Sequence, residues 1–275
     1  MLYRPTELRA LLDSLGVAPK KGLSQNFLID GNILNKIAHL ASLKPGDLVV
    51  EIGPGPGALT EKLLSCGCHV LAIEKDTTFA RLAKEKEHPS LEVWCEDVLD
   101  FSFEEELSKR LRDGSKAKVV ANIPYHLTTP ILARLMKLSH LIECAVLMVQ
   151  EEVARRCTGK DFSSFTIFLH YYSRPQYGFY VAPTCFYPAP KVGSSVIRLD
   201  LGKRYHVLDE EQFFVATRTA FCHRRKMLTS SLKELYPVAK IQGALESIGK
   251  SPLSRPEALS VEEWIAFFNT LNTSL

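Results

Sequence analysis

The sequence predicts an α/β protein in which a mostly parallel sheet carries helices on both faces and a small all-helical domain follows it. Three observations predict this. From about residue 47, short β-branched runs alternate with amphipathic segments, the pattern of βα units winding into a parallel sheet. The first run leads directly into the glycine-rich string Gly53-Pro54-Gly55-Pro56-Gly57 and then a helical pattern. After about Tyr205 only helical spacing continues. Two domains follow, 1–204 with an N-terminal segment 1–46, and 205–275.

Strands are expected at Leu48 to Ile52, His69 to Glu74, Leu91 to Trp94, Lys118 to Ala121 and Cys144 to Val149. Between them Leu59, Leu63 and Leu64, then Phe79, Leu82 and Ala83, then Ile131, Leu132 and Leu135 behind Thr129-Pro130 mark helices. A further helix presents Phe165, Phe168, Leu169 and Tyr172 on one face. Strands near Tyr177 to Val181 and Val196 to Leu199 are joined closely enough for an antiparallel pair at the sheet edge. Ahead of the first strand, Asp30 is placed to cap a helix bearing Ile33, Leu34 and Ile37. In the helical domain, Phe213, Phe214 and Thr217 share one helix, and Ser260 with Glu263 forms the capping box of another carrying Trp264, Phe267 and Phe268.

Composition excludes several classes. Of 275 residues 46% are apolar and 24% charged, which is ordinary for a folded chain and argues against long disorder. The longest fully apolar run, Cys144 to Val149, is far too short to cross a bilayer. The N-terminus, with Glu7, Arg9 and Asp13, lacks a signal-peptide core, so a cytoplasmic protein with no membrane partner is expected. Seven scattered cysteines, with Cys66 and Cys68 one residue apart, read as reduced thiols and not as a metal site. A net charge of +3 does not by itself announce a polyanion partner; attraction for one must come from local clusters.

A strand, a tight glycine turn and a helix N-terminus let backbone amides approach a nucleotide-like ligand. In the dinucleotide fingerprint the third glycine comes three positions after the second, whereas Gly57 comes two after Gly55, and Glu51 precedes the loop. Both features point away from NAD. S-adenosylmethionine has no pyrophosphate to bind and carries an ammonium, for which Glu51 supplies a carboxylate. Glu74 ends the second strand, 21 residues beyond Gly53, where a carboxylate can accept both ribose hydroxyls. Asp97 follows the third strand, placed either to accept from the adenine amine or to cap a helix before Val98 and Leu99.

Ala121-Asn122-Ile123-Pro124-Tyr125 ends the fourth strand. An adenine amine is a poor nucleophile because its lone pair is delocalised into the ring. The Asn122 side-chain oxygen and the Ile123 carbonyl can accept its two hydrogens and localise that pair, with Pro124 shaping the turn and Tyr125 stacking on the purine. No general base is required, so His126 need not be catalytic. In Phe186-Tyr187-Pro188-Ala189-Pro190-Lys191-Val192, Phe186 either covers the second face of the base or anchors its loop as a buried aromatic.

Together these residues resemble the small-subunit (16S) ribosomal RNA adenine dimethyltransferases of bacterial type. The resemblance runs over nearly the whole chain, through Ser24 to Leu28, Glu51 to Thr60, Glu74, Asp97, Asn122 to Tyr125, Phe186 to Val192 and Ala220 to Lys226. It implies a Rossmann-like class I S-adenosylmethionine-dependent methyltransferase sheet. It also implies that Asn26, Leu28, Gly53, Glu74, Asp97 and Asn122 contact the donor, and that Asn122, Tyr125 and Phe186 hold the target base. The family places two methyl groups on each of two adjacent adenosines near the 3′ end of small-subunit rRNA during ribosome assembly. The expected partner is therefore that rRNA or a pre-ribosomal small-subunit particle, met by a monomer. The chain departs from the family at Asp161-Phe162-Ser163-Ser164, where a Tyr-Gly pair is usual; this bears on a local turn and not on the chemistry.

Three basic clusters are candidates for phosphates: Lys20-Lys21, Arg155-Arg156 and Arg224-Arg225-Lys226. Lysines plus arginines from residue 206 onward number eight, as do the acids, so recognition by this domain depends on placement. Two alternatives stand beside the small-subunit assignment: a large-subunit rRNA adenine dimethyltransferase, and a non-catalytic RNA-binding assembly factor on the same fold. Thr128-Thr129-Pro130-Ile131 and the Arg-Arg-Lys helix favour the small-subunit type; intact Asn122, Tyr125, Glu74 and Asp97 favour an enzyme.

Overall fold

The β-branched runs become the strands of a seven-stranded sheet. The computed structural model describes residues 2–112 and 114–273. In chain order the strands are β1 (Phe27–Leu28), β2 (Leu48–Ile52), β3 (His69–Glu74), β4 (Leu91–Cys95), β5 (Ala117–Asn122), β6 (Ile142–Gln150), β7 (Ser173–Val181), β8 (Phe186–Tyr187) and β9 (Ser194–Leu201). The large sheet has the order β4-β3-β2-β5-β6-β9-β7, and β1 pairs separately with β8. Strands β2 to β6 are parallel neighbours, and β9 runs antiparallel to β6. As their closely spaced turns suggested, β7 and β9 lie at one edge.

The chain steps outward from β2 to β4, then returns to lay β5 on the other side of β2. A crevice opens at such a reversal, outside the carboxyl ends of the strands, and ligands bind there. Gly53 and Asn122 sit at those ends. Val49, Val50, Val119 and Val120 are wholly buried, as central parallel strands covered on both faces require.

The covering helices are α1 (Pro5–Ser14), α2 (Gly31–Leu40), α3 (Ala58–Ser65), α4 (Thr77–Lys84), α5 (Phe103–Arg110), α6 (Thr128–Lys137) and α7 (Glu151–Thr158). Asp30 caps α2 by accepting from the Asn32 and Ile33 amides. Helix α1, which the sequence pattern did not announce, buries Leu8 and Leu12 against Phe27 and Phe79.

Compact units comprise residues 1–155 with 174–202, and 156–173 with 203–275. The second holds α8 (Ser164–Tyr172), α9 (Glu210–Cys222), α10 (Leu228–Ser231), α11 (Val238–Ser247) and α12 (Val261–Asn272). It differs from a single cut at 204/205 by including α8, whose Ile167 and Tyr171 are fully buried in one cluster with Phe213, Leu245, Trp264 and Phe268. On α8, Thr166, Ile167, Leu169 and Tyr171 are the buried residues, while Phe168 and Tyr172 are only partly covered. The helix is apolar nearly all round, so periodicity could not select its inner face. The departure at Asp161 to Ser164 builds a capping box between Ser163 and Thr166, and Ser260 with Glu263 builds the expected one.

Candidate active site

Gly53, Gly55 and Gly57 have φ of 69°, 53° and 100°, the left-handed region that side chains disfavour. This turn carries the chain from β2 into α3, with Gly57 as the N-cap. Glu74, at the end of β3, is buried and holds the turn: its Oε2 accepts from the Gly55 amide at 2.9 Å and its Oε1 from the Asp76 amide at 2.7 Å. Burial raises its pKa, and those two amide bonds oppose the rise.

A cavity of about 140 Å³ lies against the turn, bringing together Asn26, Gly53, Gly55, Glu74, Asp97, Asn122, Pro124 and Tyr125, with Ile52, Ile73 and Val98 as apolar walls. Asp97 forms a turn and no helix cap: its Oδ1 accepts from the Leu99 amide at 2.9 Å, and its Oδ2 pairs with Lys75 at 2.7 Å. The Lys75 hydrogen bond is the main reason its pKa lies below the usual carboxylate value.

Glu51 and Leu28 line a smaller cavity of about 40 Å³, which shares Gly53 and Asn122 with the first. A space of that size admits a small polar group but no nucleoside. Glu51 is almost completely buried, and neither carboxylate oxygen has a hydrogen-bond partner. Burial pushes its pKa up to about 8, opposed by the nearby Thr60 hydroxyl and Lys86.

On the other wall, the Asn122 amide nitrogen donates to the Asn26 carbonyl at 3.1 Å. That bond leaves Oδ1 as the free acceptor. Pro124 starts a single 3₁₀ turn, Tyr125–Leu127, closed by the Thr128 hydroxyl donating to the Tyr125 carbonyl at 3.0 Å. The Tyr125 hydroxyl lies 2.7 Å from that of Ser194. His126 contacts Ser24 through Nδ1 at 3.1 Å.

Two expected residues lie elsewhere. Gly57 does not line the cavity; its place is the start of α3. Phe186 does not line it either: it pairs with Leu28 across the β1/β8 ribbon and is buried in the same apolar cluster. Burying a phenylalanine side chain stabilises by roughly 1.5–3 kcal/mol, enough to hold the ring in the core.

Two residues were missed. Asp76, buried at 3% exposure, caps α4 and accepts from Lys20 at 2.9 Å and Gln25 at 3.0 Å, so it ties the segment before β1 to the Glu74 side of the cavity. An Asp directly before Thr77 was a legible cap signal; its pairing with Lys20 was not. Ser194 carried no signal of its own.

Of the basic clusters, Lys20 is occupied by Asp76. Arg155 is exposed and pairs with Glu151 at 2.5 Å, and Arg156 is exposed. Arg224, Arg225 and Lys226 lie in the turn after α9, and not on a helix as expected, because α9 ends at Cys222. All three are exposed around an open depression, with Arg224 4.0 Å from Glu257. Among the described residues there is no cluster of three metal-ligating side chains and no helix long and apolar enough to cross a membrane.

Residues 17–273 match the family model described as ribosomal RNA adenine dimethylase. The chain is 55% identical to ribosomal RNA small subunit methyltransferase A of Protochlamydia amoebophila over 279 residues, covering 99% of this chain and 98% of that protein. It is 41% identical to the protein of the same name in Chlamydia trachomatis, with 96% of each covered. Among solved structures, 23S rRNA methyltransferase ErmE superposes with a TM-score of 0.73 at 27% identity, over 90% of this chain and all of that one. A dimethyladenosine transferase from Plasmodium falciparum shares the fold, with a TM-score of 0.73 at 24% identity over 88% of this chain and 95% of that one.

Proposed function

The chain belongs to the ribosomal RNA adenine dimethylase family, and on that premise we propose that it methylates, from S-adenosylmethionine, the N6 amines of two adjacent adenosines near the 3′ end of small-subunit rRNA, twice on each, during assembly of the cytoplasmic subunit. The observation that carries this reading is the oriented Asn122 amide at the end of β5, beside the glycine turn at the end of β2.

The residues present fit the donor. Glu51 offers a buried carboxyl group with no partner, which a bound ammonium would draw into its charged form, and Glu74 keeps free lone pairs beyond its two amide bonds for a ribose diol. Asp97 and Val98 offer an acceptor and an apolar wall for an adenine. Bound there, S-adenosylmethionine would supply an electrophilic methyl group on its sulfonium.

The chain's own residues do the rest. Asn122 Oδ1 and the Ile123 carbonyl accept the hydrogens of the target amine, which localises its lone pair. Tyr125 stacks on the base. The proton becomes acidic only as the new bond forms, so no base of matched pKa is needed. After the first transfer the amine has one hydrogen fewer, and a site built from two acceptors tolerates losing one bond. Arg155, Arg156, Arg224, Arg225 and Lys226 are exposed and available to rRNA phosphates.

The small-subunit substrate is favoured over the large-subunit one by the 55% and 41% identities to small-subunit enzymes against 27% to the 23S enzyme. The test is methyl incorporation into undermethylated small and large subunits, with mass analysis of the adenosines. Dimethyladenosine in small-subunit rRNA is expected; incorporation only into large subunits, or none, overturns the proposal.

A further inference from the structure

The catalytic unit carries an aromatic surface beside the target-base wall, on the side away from the glycine turn. Gln176 bonds to Asp200, a Cβ on Gly178 would meet the Val196 carbonyl, and the Tyr180 ring lies against Gly193, so β7 runs antiparallel to β9. The end of β7 and the start of β9 therefore flank Gln150, at the carboxyl edge where Asn122 and Tyr125 sit. From β5 to β7 is three strand spacings, roughly 14 Å.

Three large apolar side chains on these segments are exposed: Tyr177, Tyr180 and Val192. Tyr180 is 53% exposed, and among the described residues its hydroxyl has no hydrogen-bond partner. Its ring rests so closely on Gly193 that a Cβ there would come within 2.5 Å of it, so only glycine permits this seat. The next residue, Ser194, is the one that holds the Tyr125 hydroxyl. The platform is thus continuous in the chain with the base wall.

The local charge suits a polyanion. Lys191 is exposed and makes no ion pair among the described residues, and the Arg155 guanidinium lies 5.8 Å from the centre of the Tyr177 ring. The nearby acid, Glu151, is fully engaged. Burial works against its ionisation, but bonds from Ser195 and Tyr177 and the Arg155 charge outweigh burial and hold its pKa low. An aromatic face with cations at its border is how proteins bind single-stranded RNA without reading its sequence.

We propose that Tyr180, with Val192 and the Arg155–Tyr177 pair, is a stacking platform for single-stranded nucleotides flanking the adenosine to be methylated. This rests on the reading of the chain as an rRNA methyltransferase, and it names where on the catalytic unit the strand continues.

The experiment measures equilibrium binding of the full chain to deproteinised small-subunit rRNA at several salt concentrations. Tyr180→Ala is expected to raise Kd about tenfold, and Tyr180→Phe to stay within about twofold of wild type, because stacking needs the ring and not the hydroxyl. The slope of log Kd against log salt should not change, since a stacked base releases no counterions. Thermal stability and affinity for S-adenosylmethionine should match wild type. The proposal is overturned if Tyr180→Ala binds like wild type, or if Tyr180→Phe loses as much as Tyr180→Ala. It is also overturned if the loss appears with intact particles and not with bare rRNA, which would assign the surface to a protein. A wild type showing the Tyr180 dependence but methylating no adenosine would remove the proposed reaction and leave the platform standing.

Discussion

The Tyr125 phenol and the buried Ser194 hydroxyl lie 2.7 Å apart, so a ring that lines the cavity is held by the start of β9, 69 residues further along the chain. Breaking that bond frees the ring without removing it. Ser194→Ala is expected to lower kcat about fivefold to tenfold, the worth of one hydrogen bond, with donor affinity unchanged. Tyr125→Phe should cost a similar amount, and the double variant no more than either single one. Additive losses in a double-mutant cycle would show that the two hydroxyls act separately.

In the proposed reaction Asn122 holds the target amine. Asn122→Ala removes the acceptor that Asn26 orients, and kcat should fall at least about a hundredfold, as for loss of one preorganised polar group at a reacting centre. Single-turnover methylation with mass analysis of the adenosines provides the check; an unchanged dimethyladenosine yield would remove Asn122 from the mechanism.

Asp76 should matter for binding although it lines neither cavity. Burial opposes its ionisation, but hydrogen bonds from Lys20 and Gln25 prevail and lower its pKa from the ordinary 3.8. Its contribution to stability is therefore present above about pH 4 and lost as pH falls through the lowered value. Asp76→Ala leaves those donors unpaired and is expected to cost about 2 kcal/mol and to weaken binding of S-adenosylmethionine. Thermal melts and calorimetric titration measure the two effects.

Glu51 should give the opposite pH dependence. Its pKa rises from 4.5 unfolded to about 8 folded, chiefly through burial, so the folded state holds a proton that the unfolded state releases between those values. Its contribution to stability is full below about pH 4.5 and declines as pH rises towards 8. Glu51→Gln stays neutral throughout, so its Tm relative to wild type should climb between pH 5 and 8. A constant difference across that range would mean that Glu51 is already ionised in the folded protein.

The turn after α9 is expected to act through charge. Replacing Arg224, Arg225 and Lys226 with alanine should weaken binding to small-subunit particles and reduce the salt slope by about two to three. Both are read from one salt titration, and an unchanged slope would remove the turn from the interface.

Most strands were legible because each carries its own β-branched run between turn residues. Glu74 and Asn122 were legible because they end such runs. Helix α1 and the inner face of α8 were not: the anchors of the first, Phe27 and Phe79, are distant in sequence, and the second is apolar nearly all round. Phe186 had two readings from sequence, and its pairing with Leu28 decides for the buried one in this structure.

By itself the sequence determined the local chemistry: glycines where the backbone must turn left-handed, a carboxylate at the end of a strand, an Asn-Ile-Pro-Tyr turn. These depend on neighbours within a few residues, so spacing reveals them. Only the tertiary structure decided how those groups are held: Asn122 oriented by the Asn26 carbonyl, Tyr125 by Ser194, Lys20 drawn to Asp76, and Glu51 left buried without a partner. Each of these depends on desolvation and on contacts across 50 to 100 residues of chain or on a cavity's shape, and neither leaves a periodic trace in sequence.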